Sequence, residues 1–190
     1  MTEKSSIIKS FEQHKLVLDN LYIEEDNIQS VIDRCISVLD SGNKFMFCGN
    51  GGSAADSQHL AAEFTGRFIK KVQPLPAIAL TTDTSALTAI GNDFSFDDIF
   101  SRQISALGLK GDLLFAISTS GNSKNIIKAV KIAKSSGIFT VGLSGYSGGN
   151  LAKLADQSIV INSDHTARIQ EMHILIGHII CEALDNKREF

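Results

Sequence analysis

Residues 44–67, KFMFCGNGGSAADSQHLAAEFTGR, pass from a short apolar run through a glycine-rich turn into a series of helix-forming residues. The apolar run, 44–48, is typical of a buried strand. Four more short apolar runs follow, most of them succeeded by Gly, Ser, Thr or Asn and then by a helical pattern: 76–80 (PAIAL), 112–118 (DLLFAIS), 139–143 (FTVGL) and 157–161 (QSIVI). Strands that alternate with helices predict an α/β fold, in which helices cover both faces of a parallel sheet.

Apolar residues at helical spacing mark the segments around these strands. The first 40 residues predict a pair of helices, with apolar positions at Ile7, Ile8, Phe11, Leu18 and Leu21, and then at Ile28, Val31, Ile32, Ile36 and Leu39. Further helices are predicted over residues 122–135 and from about residue 167 to 184. No repeat or linker interrupts the chain, so we expect residues 1–190 to form a single domain.

Composition excludes several classes of protein. The 190 residues carry 18 Lys and Arg against 21 Asp and Glu, which argues against a nucleic-acid-binding protein with a basic face. The three cysteines form no CxxC pair, which disfavours a disulfide framework or a cysteine zinc site and fits a reducing compartment. The longest nearly apolar run, 174–181, is far shorter than the roughly 20 residues that span a bilayer, and the N-terminal residues show no signal-like apolar segment. We therefore expect a cytoplasmic protein without a membrane partner.

Three loops at the predicted carboxyl ends of strands are candidates for ligand binding: 48–53 (CGNGGS), 118–123 (STSGNS) and 91–93 (GND). Glycines let backbone N–H groups approach a ligand, and a following helix N-terminus favours an anion. Turns and helix caps use the same residue types, but four hydroxyls within 118–123 favour a phosphate site. None of the loops matches GxxxxGK[ST] or GxGxxG, which disfavours a nucleoside triphosphatase or a dinucleotide-binding fold.

Two pairs of polar residues are candidates for catalysis or metal binding. His59 and Glu63 share a face of the helix predicted after the first loop, and such a pair can bind a metal, act as acid and base, or be an ordinary surface pair. Gln170 and His178 lie about 12 Å apart along the last helix, too far to ligate one ion. If both serve one site, one comes from a neighbouring subunit, which predicts an oligomer with shared sites.

Longer motifs resemble one known family over nearly the whole chain. They are 48–53 with 58–67 (QHLAAEFTGR), 91–94 (GNDF), 117–123 (ISTSGNS) and 168–173 (RIQEMH). Together they resemble the sugar isomerase (SIS) superfamily and, within it, the phosphoheptose isomerases. The resemblance implies an SIS fold, a doubly wound five-stranded parallel sheet flanked by helices, with an N-terminal helical pair (residues 1–41) used in oligomer packing. It also implies a homotetramer with shared active sites.

The resemblance further implies an activity and a set of site residues. The activity is the aldose–ketose isomerisation of D-sedoheptulose 7-phosphate and D-glycero-D-manno-heptose 7-phosphate through an enediol, the first step toward ADP- or GDP-heptose precursors of lipopolysaccharide or other surface glycans. Glu63 and His178 are implied as the acid/base pair, and one zinc ion per subunit is bound by His59, Glu63, Gln170 and His178. The implied substrate-binding residues, in which the hydroxyl side chains hold the phosphate, are Asn50, Gly51, Gly52, Glu63, Asn92, Asp93, Ser118, Thr119, Ser120, Ser123 and Gln170.

The same motifs also resemble a protein that is not an enzyme, the DnaA initiator-associating protein, which acts through protein–protein contacts. That relative lacks the helix glutamate and the last-helix histidine, whereas this chain has Glu63 and His178. The sequence therefore predicts the isomerase, with a non-catalytic SIS binding module as the alternative.

Overall fold

A single parallel sheet of five strands organises the computed structural model, which describes residues 5–71 and 73–187. Its strand order is β2-β1-β3-β4-β5, so the chain leaves β1 in one direction and β3 in the other. The register pairs Gly49 of β1 with Ile117 of β3, which sets the carboxyl ends of these two strands side by side. The strands are β1 Phe45–Gly49, β2 Ala77–Ala79, β3 Leu113–Ser118, β4 Phe139–Gly145 and β5 Gln157–Ile161.

Helices precede the sheet and connect its strands. Local capping fixes some of their starts: the Ser5 hydroxyl accepts the Ile8 N–H at 3.3 Å, and the Asp83 carboxylate accepts the Ala86 N–H at 2.9 Å. Short 3-10 turns at Tyr22–Glu24 and Phe96–Asp98 separate some of them. The helices are α1 Ser6–Leu21, α2 Glu25–Asp40, α3 Gly52–Thr65, α4 Thr84–Asp93, α5 Ser101–Leu107, α6 Lys124–Ser135, α7 Gly149–Leu154 and α8 Thr166–Lys187.

The sheet separates two apolar cores, because successive side chains of a strand point to opposite faces. Phe45 and Phe47 of β1 pack with α1, α2, α3 and α8 on one face, where the Phe47 ring stacks on Phe115 with 4.9 Å between centroids. Met46 and Cys48 pack with α5, α6 and α7 on the other face. Every residue of β1 and β3 is buried, as expected for central strands of a parallel sheet. The α/β, doubly wound, five-stranded sheet predicted from the sequence is confirmed.

The predicted helices and strands are found with small shifts at their ends, but α1 differs from the prediction in the residues that it buries. Ile7 and Phe11, whose spacing predicts a buried helix face, are 63% and 67% exposed. The buried residues of α1 are Val17 and Leu21, near its C-terminal end. The first half of α1 therefore presents apolar side chains that the described part of this chain does not cover.

Two simpler features bear on the class of protein. Across the described residues, no helix is both long enough and apolar enough to cross a membrane. Cys35, Cys48 and Cys181 are free thiols in buried positions. Burial raises the pKa of the Cys181 thiol to about 12, so this thiol is a poor nucleophile at neutral pH.

Candidate active site

The first candidate region is the crevice where the carboxyl ends of β1 and β3 meet. The loops that follow these strands diverge, because the chain turns from β1 toward β2 and from β3 toward β4. Ligands of open α/β sheets bind in such a crevice. Asn50, Gly51 and Gly52 form the first loop, and both glycines are exposed. Gly51 has a φ of 56°, which residues with a Cβ rarely adopt, so this tight turn requires glycine.

The second loop of the crevice, residues 118–123, is here called the hydroxyl loop. The Ser118 and Ser123 hydroxyls lie 3.0 Å apart, and Ser123, at the N-cap of α6, makes no capping hydrogen bond. One of these two hydroxyls donates to the other, which leaves the second hydroxyl proton for a ligand. Ser120 has the ordinary turn role, since its Oγ accepts the Asn122 N–H at 3.2 Å. The loop therefore offers uncharged donors beside a helix N-terminus, an arrangement that suits a phosphate.

The second candidate region is the His/Glu cluster, formed by His59, Glu63 and His178. His59 Nε2 lies 3.3 Å from Glu63 Oε1 and 2.9 Å from His178 Nε2. Two ring nitrogens this close either share one proton in a hydrogen bond or direct both lone pairs at a cation. The ring of Phe68 packs on the ring of His178, with 5.4 Å between centroids. The cluster thus joins a carboxylate and two imidazoles, groups that can move protons or bind a metal.

The cluster forms because α3 and α8 run side by side in the same direction. Gly52 lies against Gln170 at one end of the pair, and His59 lies against His178 at the other. In between, Gly177 faces Leu60, and a Cβ at Gly177 would lie only 2.7 Å from Leu60 Cδ1. The missing side chain at Gly177 therefore sets the close approach of the two helices.

Gly91, Asn92 and Asp93 are predicted from the sequence as a strand-to-helix loop, and this prediction is wrong. They form the last turn of α4, which ends where the Phe94 N–H bonds to the Ile90 carbonyl. One glycine costs a helix only about 1 kcal/mol, and the packing of Ile90 on the second core holds this turn in place. Asn92 Nδ2 donates to Asp93 Oδ1 at 2.8 Å. Among the described residues, no hydrogen bond joins this pair to the hydroxyl loop or the His/Glu cluster.

Known proteins match this chain over nearly its whole length. The family model of the SIS domain matches residues 11–145. The phosphoheptose isomerase of Aliarcobacter butzleri is 52% identical over 186 residues, covering 97% of this chain and 98% of its own length. That of Campylobacter concisus is 55% identical over 177 residues, covering 93% and 90%. This chain belongs to the phosphoheptose isomerase family.

Solved phosphoheptose isomerases share the fold. The structure of GmhA from Neisseria gonorrhoeae has a TM-score of 0.90 at 43% identity, covering 95% of this chain and 97% of that one. The structure from Francisella tularensis has a TM-score of 0.93 at 36% identity, covering 98% and 100%. The SIS fold expected from the sequence motifs is confirmed.

The zinc position implied by the phosphoheptose isomerase family can be compared with this geometry. Donor atoms bound to one tetrahedral zinc ion at 2.0–2.1 Å are about 3.3 Å apart, close to the two distances measured from His59 Nε2, 3.3 and 2.9 Å. In residues 5–71 and 73–187, however, no three His, Cys, Asp or Glu side chains converge tightly enough to hold an ion. Gln170 lies at Gly52, about 10 Å along α3 from His59. The donor types fit zinc, but Gln170 of the same chain lies too far from the His/Glu cluster to be the fourth donor.

Asp56 is a residue of this region that the sequence motifs do not reveal. It shares a face of α3 with Gly52, His59 and Glu63, since these positions are three or four residues apart. Its Oδ2 is buried and has no hydrogen-bond partner in the described part of the chain. Burial raises the pKa of its carboxyl, and His59 partly opposes that shift. The sequence signal that could have indicated Asp56 is its position three residues before His59, on the same face of the helix.

His173 is a second residue that the motifs leave without a role, although it lies within the quoted segment 168–173. Its Nε2 bonds to the Ser144 carbonyl at 3.2 Å, which ties α8 to the carboxyl end of β4. Ser144 is the register partner of Ser118, the first residue of the hydroxyl loop. Burial lowers the pKa of His173 to about 4, so the ring is neutral at physiological pH. His173 therefore links the helix of Gln170 and His178 to the strand beside the phosphate-binding candidate.

Proposed function

We propose that this chain is an aldose–ketose isomerase that interconverts D-sedoheptulose 7-phosphate and D-glycero-D-manno-heptose 7-phosphate. The observation that carries the proposal is the His/Glu cluster, in which Glu63 and His178 meet at His59. Membership of the phosphoheptose isomerase family supports the proposal that the substrate is a heptose phosphate. A binding module would need neither a carboxylate nor an imidazole there.

The proposed reaction moves one proton between C1 and C2 of the open-chain sugar phosphate. Glu63 takes the proton from C1 of the ketose while His178 donates a proton to the O2 carbonyl oxygen, which gives the enediol. Glu63 then returns its proton to C2, and His178 recovers a proton from the O1 hydroxyl as the aldehyde forms. Both side chains end as they began, and no atom is gained or lost. Acid–base catalysis of this kind contributes about 10²–10⁴-fold.

The hydroxyl loop is the proposed phosphate site. Ser118, Thr119, Ser120 and Ser123 supply hydroxyl donors, and the start of α6 adds backbone N–H groups and the positive end of its dipole. Uncharged donors bind a phosphate without adding local positive charge. We assign contacts with the rest of the sugar to Asn50, Gly51, Gly52, Glu63, Asn92, Asp93 and Gln170.

We propose one zinc ion per subunit, held by His59, Glu63, Gln170 and His178, with Gln170 and His178 supplied by different subunits. When bound, the ion would polarise the carbonyl oxygen or the substrate hydroxyls. A carboxylate that ligates zinc is a weaker base, so Glu63 either leaves the ion during turnover or serves an ion that is partly structural. The distance of Gln170 from its own chain's His/Glu cluster supports a site shared between subunits.

A shared site requires an oligomer, and we propose a homotetramer. The N-terminal helical pair supplies apolar surface for such packing, since large side chains of α1 and the turn after it are more than half exposed: Ile7, Phe11, Leu16, Tyr22 and Ile23. We further propose that residues 1–190 form one SIS domain and that the enzyme is cytoplasmic, a location its three free thiols support. Its product would supply ADP- or GDP-heptose precursors of lipopolysaccharide or other surface glycans.

Turnover of sedoheptulose 7-phosphate tests the proposal, measured on the purified protein before chelation, after chelation and after zinc is restored. Turnover that falls on chelation and returns with zinc supports the metal-assisted enzyme. Turnover that is unchanged by chelation and by added zinc leaves catalysis to Glu63 and His178 and contradicts the catalytic role of zinc. No turnover in any state contradicts the proposed function and favours a binding module like the DnaA initiator-associating protein, in which Glu63 and His178 are dispensable.

A further inference from the structure

Two side-chain amides join the loop of residues 49–52 to the helix that follows the hydroxyl loop. Asn50 Nδ2 donates to Asn125 Oδ1 at 2.9 Å, and Asn125 Nδ2 donates back to Asn50 Oδ1 at 2.8 Å. Asn50 directly follows β1, and Asn125 lies in the first turn of α6. The closed amide pair therefore connects the two sides of the crevice in which the proposed substrate binds.

Asn125 is fixed in one orientation. It is only 2% exposed, and its Oδ1 also accepts the backbone N–H of Ile126 at 2.9 Å. Turning the amide over would place Nδ2 against that N–H, so two donors would face each other where water does not reach. Asn125 can therefore present only its Nδ2 to the Oδ1 of Asn50.

The orientation of Asn50 follows from that of Asn125. A reversed Asn50 amide would set donor against donor and acceptor against acceptor across the pair. One N–H and one lone pair of the Asn50 amide remain outside the pair, and Asn50 is only half-buried, so a ligand in the crevice can reach it. The buried partner thus decides which way the accessible amide faces.

We propose that Asn125 is a positioning residue for sugar-phosphate binding, which acts by orienting the Asn50 amide and by holding the loop of residues 49–52 against the hydroxyl loop. This inference rests on the proposed function, in which Asn50 contacts the substrate. Asn125 itself touches no reacting atom in this scheme. Its loss should therefore weaken binding much more than it slows the proton transfers.

The experiment compares KM and kcat for sedoheptulose 7-phosphate in Asn125→Asp and Asn125→Ser. Asn125→Asp keeps the shape and both acceptor contacts but cannot donate to Asn50 Oδ1. Asn125→Ser adds no charge, and its side chain is too short to reach the Asn50 amide. We expect KM to rise about tenfold, the size of one lost hydrogen bond to a buried partner, with kcat within about threefold of wild type. An unchanged KM in folded Asn125 variants overturns the inference.

A double-mutant cycle with Asn50→Ala separates positioning from a general structural role. If Asn125 acts through Asn50, Asn125→Ser should raise KM in the wild-type background and change it less than twofold in the Asn50→Ala background. Independent, multiplying effects on KM would contradict the inference. Loss of folding by both Asn125 variants, seen as a lost cooperative thermal transition, would also overturn it in favour of a purely structural role.

Asn27→Asp is the matched control. Asn27 also joins two elements, since its Nδ2 donates to the Ser158 carbonyl at 2.7 Å, but it does so at the start of β5, away from the crevice. Its KM should stay at the wild-type value, and a rise equal to that of Asn125→Asp would contradict a role specific to the crevice. A wild-type protein without turnover would defeat the proposed function instead; the same cycle is then read from binding of the sugar phosphate by calorimetry, with the same outcomes.

Discussion

The hydroxyl loop and the His/Glu cluster are built in different ways. The loop takes its donors from six consecutive residues, placed by the carboxyl end of β3, and those donors are uncharged. The cluster joins titratable side chains from two helices, and its two histidines lie 119 positions apart in the chain. In the proposed enzyme, the loop holds the phosphate and the cluster moves the protons. If this division is correct, substitutions in the two regions should change different kinetic constants.

Glu63→Gln should have the largest effect. The amide keeps the size of the side chain but cannot accept the carbon proton, so kcat should fall by at least about 100-fold, or roughly 3 kcal/mol of transition-state stabilisation. KM should change much less than kcat, because the amide keeps the size of the Glu63 side chain and the phosphate contacts lie in the hydroxyl loop. Steady-state kinetics on sedoheptulose 7-phosphate give both constants. Near-normal kcat would remove Glu63 from the chemistry, and Glu182→Gln, on an exposed position of α8, controls for loss of a carboxylate.

Gly177→Ala should have the next largest effect, because it tests how the cluster is held together. The new Cβ would lie within 3 Å of two Leu60 atoms, so either the buried Leu60 side chain changes its conformation or α8 moves away from α3. Overpacking of this kind costs about 1–3 kcal/mol in the free energy of unfolding, measured by denaturant titration. We expect kcat to fall with it, since the contact between His59 and His178 depends on the same approach.

Gly91→Ala is the matched control for that substitution. Gly91 also lies within a helix, α4, but its Cβ would meet only Ile99 Cγ2, at an ordinary 3.9 Å. Alanine should therefore stabilise the protein there, by about 0.5–1 kcal/mol. Equal stability changes in the two variants would show that the Leu60 contact does not set the helix spacing.

His173 predicts a pH dependence of stability for the link between the two regions. The unfolded His173 has an ordinary pKa of 6.5 and the folded one a pKa of about 4, so the unfolded chain binds more protons between these values. The stabilisation is complete above pH 6.5 and is lost as the pH falls toward 4, by on the order of 2 kcal/mol at pH 5. Denaturant unfolding at pH 7.5 and pH 5 should show a smaller loss in His173→Gln than in wild type. An identical loss in both proteins would exclude His173 as its source.

The difference between the two regions also explains what the sequence can predict. The stretch 44–67 and the hydroxyl loop are consecutive residues in which apolar spacing changes from strand to helix, so both the sheet and the loop at its edge could be predicted. The spacing of Gln170 and His178 likewise favours a site that the two share only across a subunit contact, and this stays a prediction. Composition gave the wrong result at Gly91, Asn92 and Asp93, because the same residue types also end helices.

The remaining features depend on contacts between distant segments. No local pattern places His178 at His59, since that contact requires α8 to lie along α3, and the approach is set by Gly177 against Leu60. The Asn50–Asn125 pair likewise exists only because β1 and β3 are neighbours in the sheet. These residue types are common throughout the sequence, and only the three-dimensional arrangement shows which of them belong to the site.

Ser123→Ala should have the smallest effect and gives the sharpest contrast with Glu63→Gln. It removes one uncharged donor of the hydroxyl loop, worth about 1 kcal/mol, so KM should rise roughly fivefold while kcat stays near wild type. The Ser118 hydroxyl, 3.0 Å from Ser123 Oγ, loses its partner and can turn to the phosphate, which limits the loss. Ser135→Ala is the control, because its hydroxyl bonds the Ile132 carbonyl at the far end of α6. If Ser123→Ala lowered kcat and left KM unchanged, the hydroxyl loop would act in the proton transfers, and the division between the two regions would be wrong.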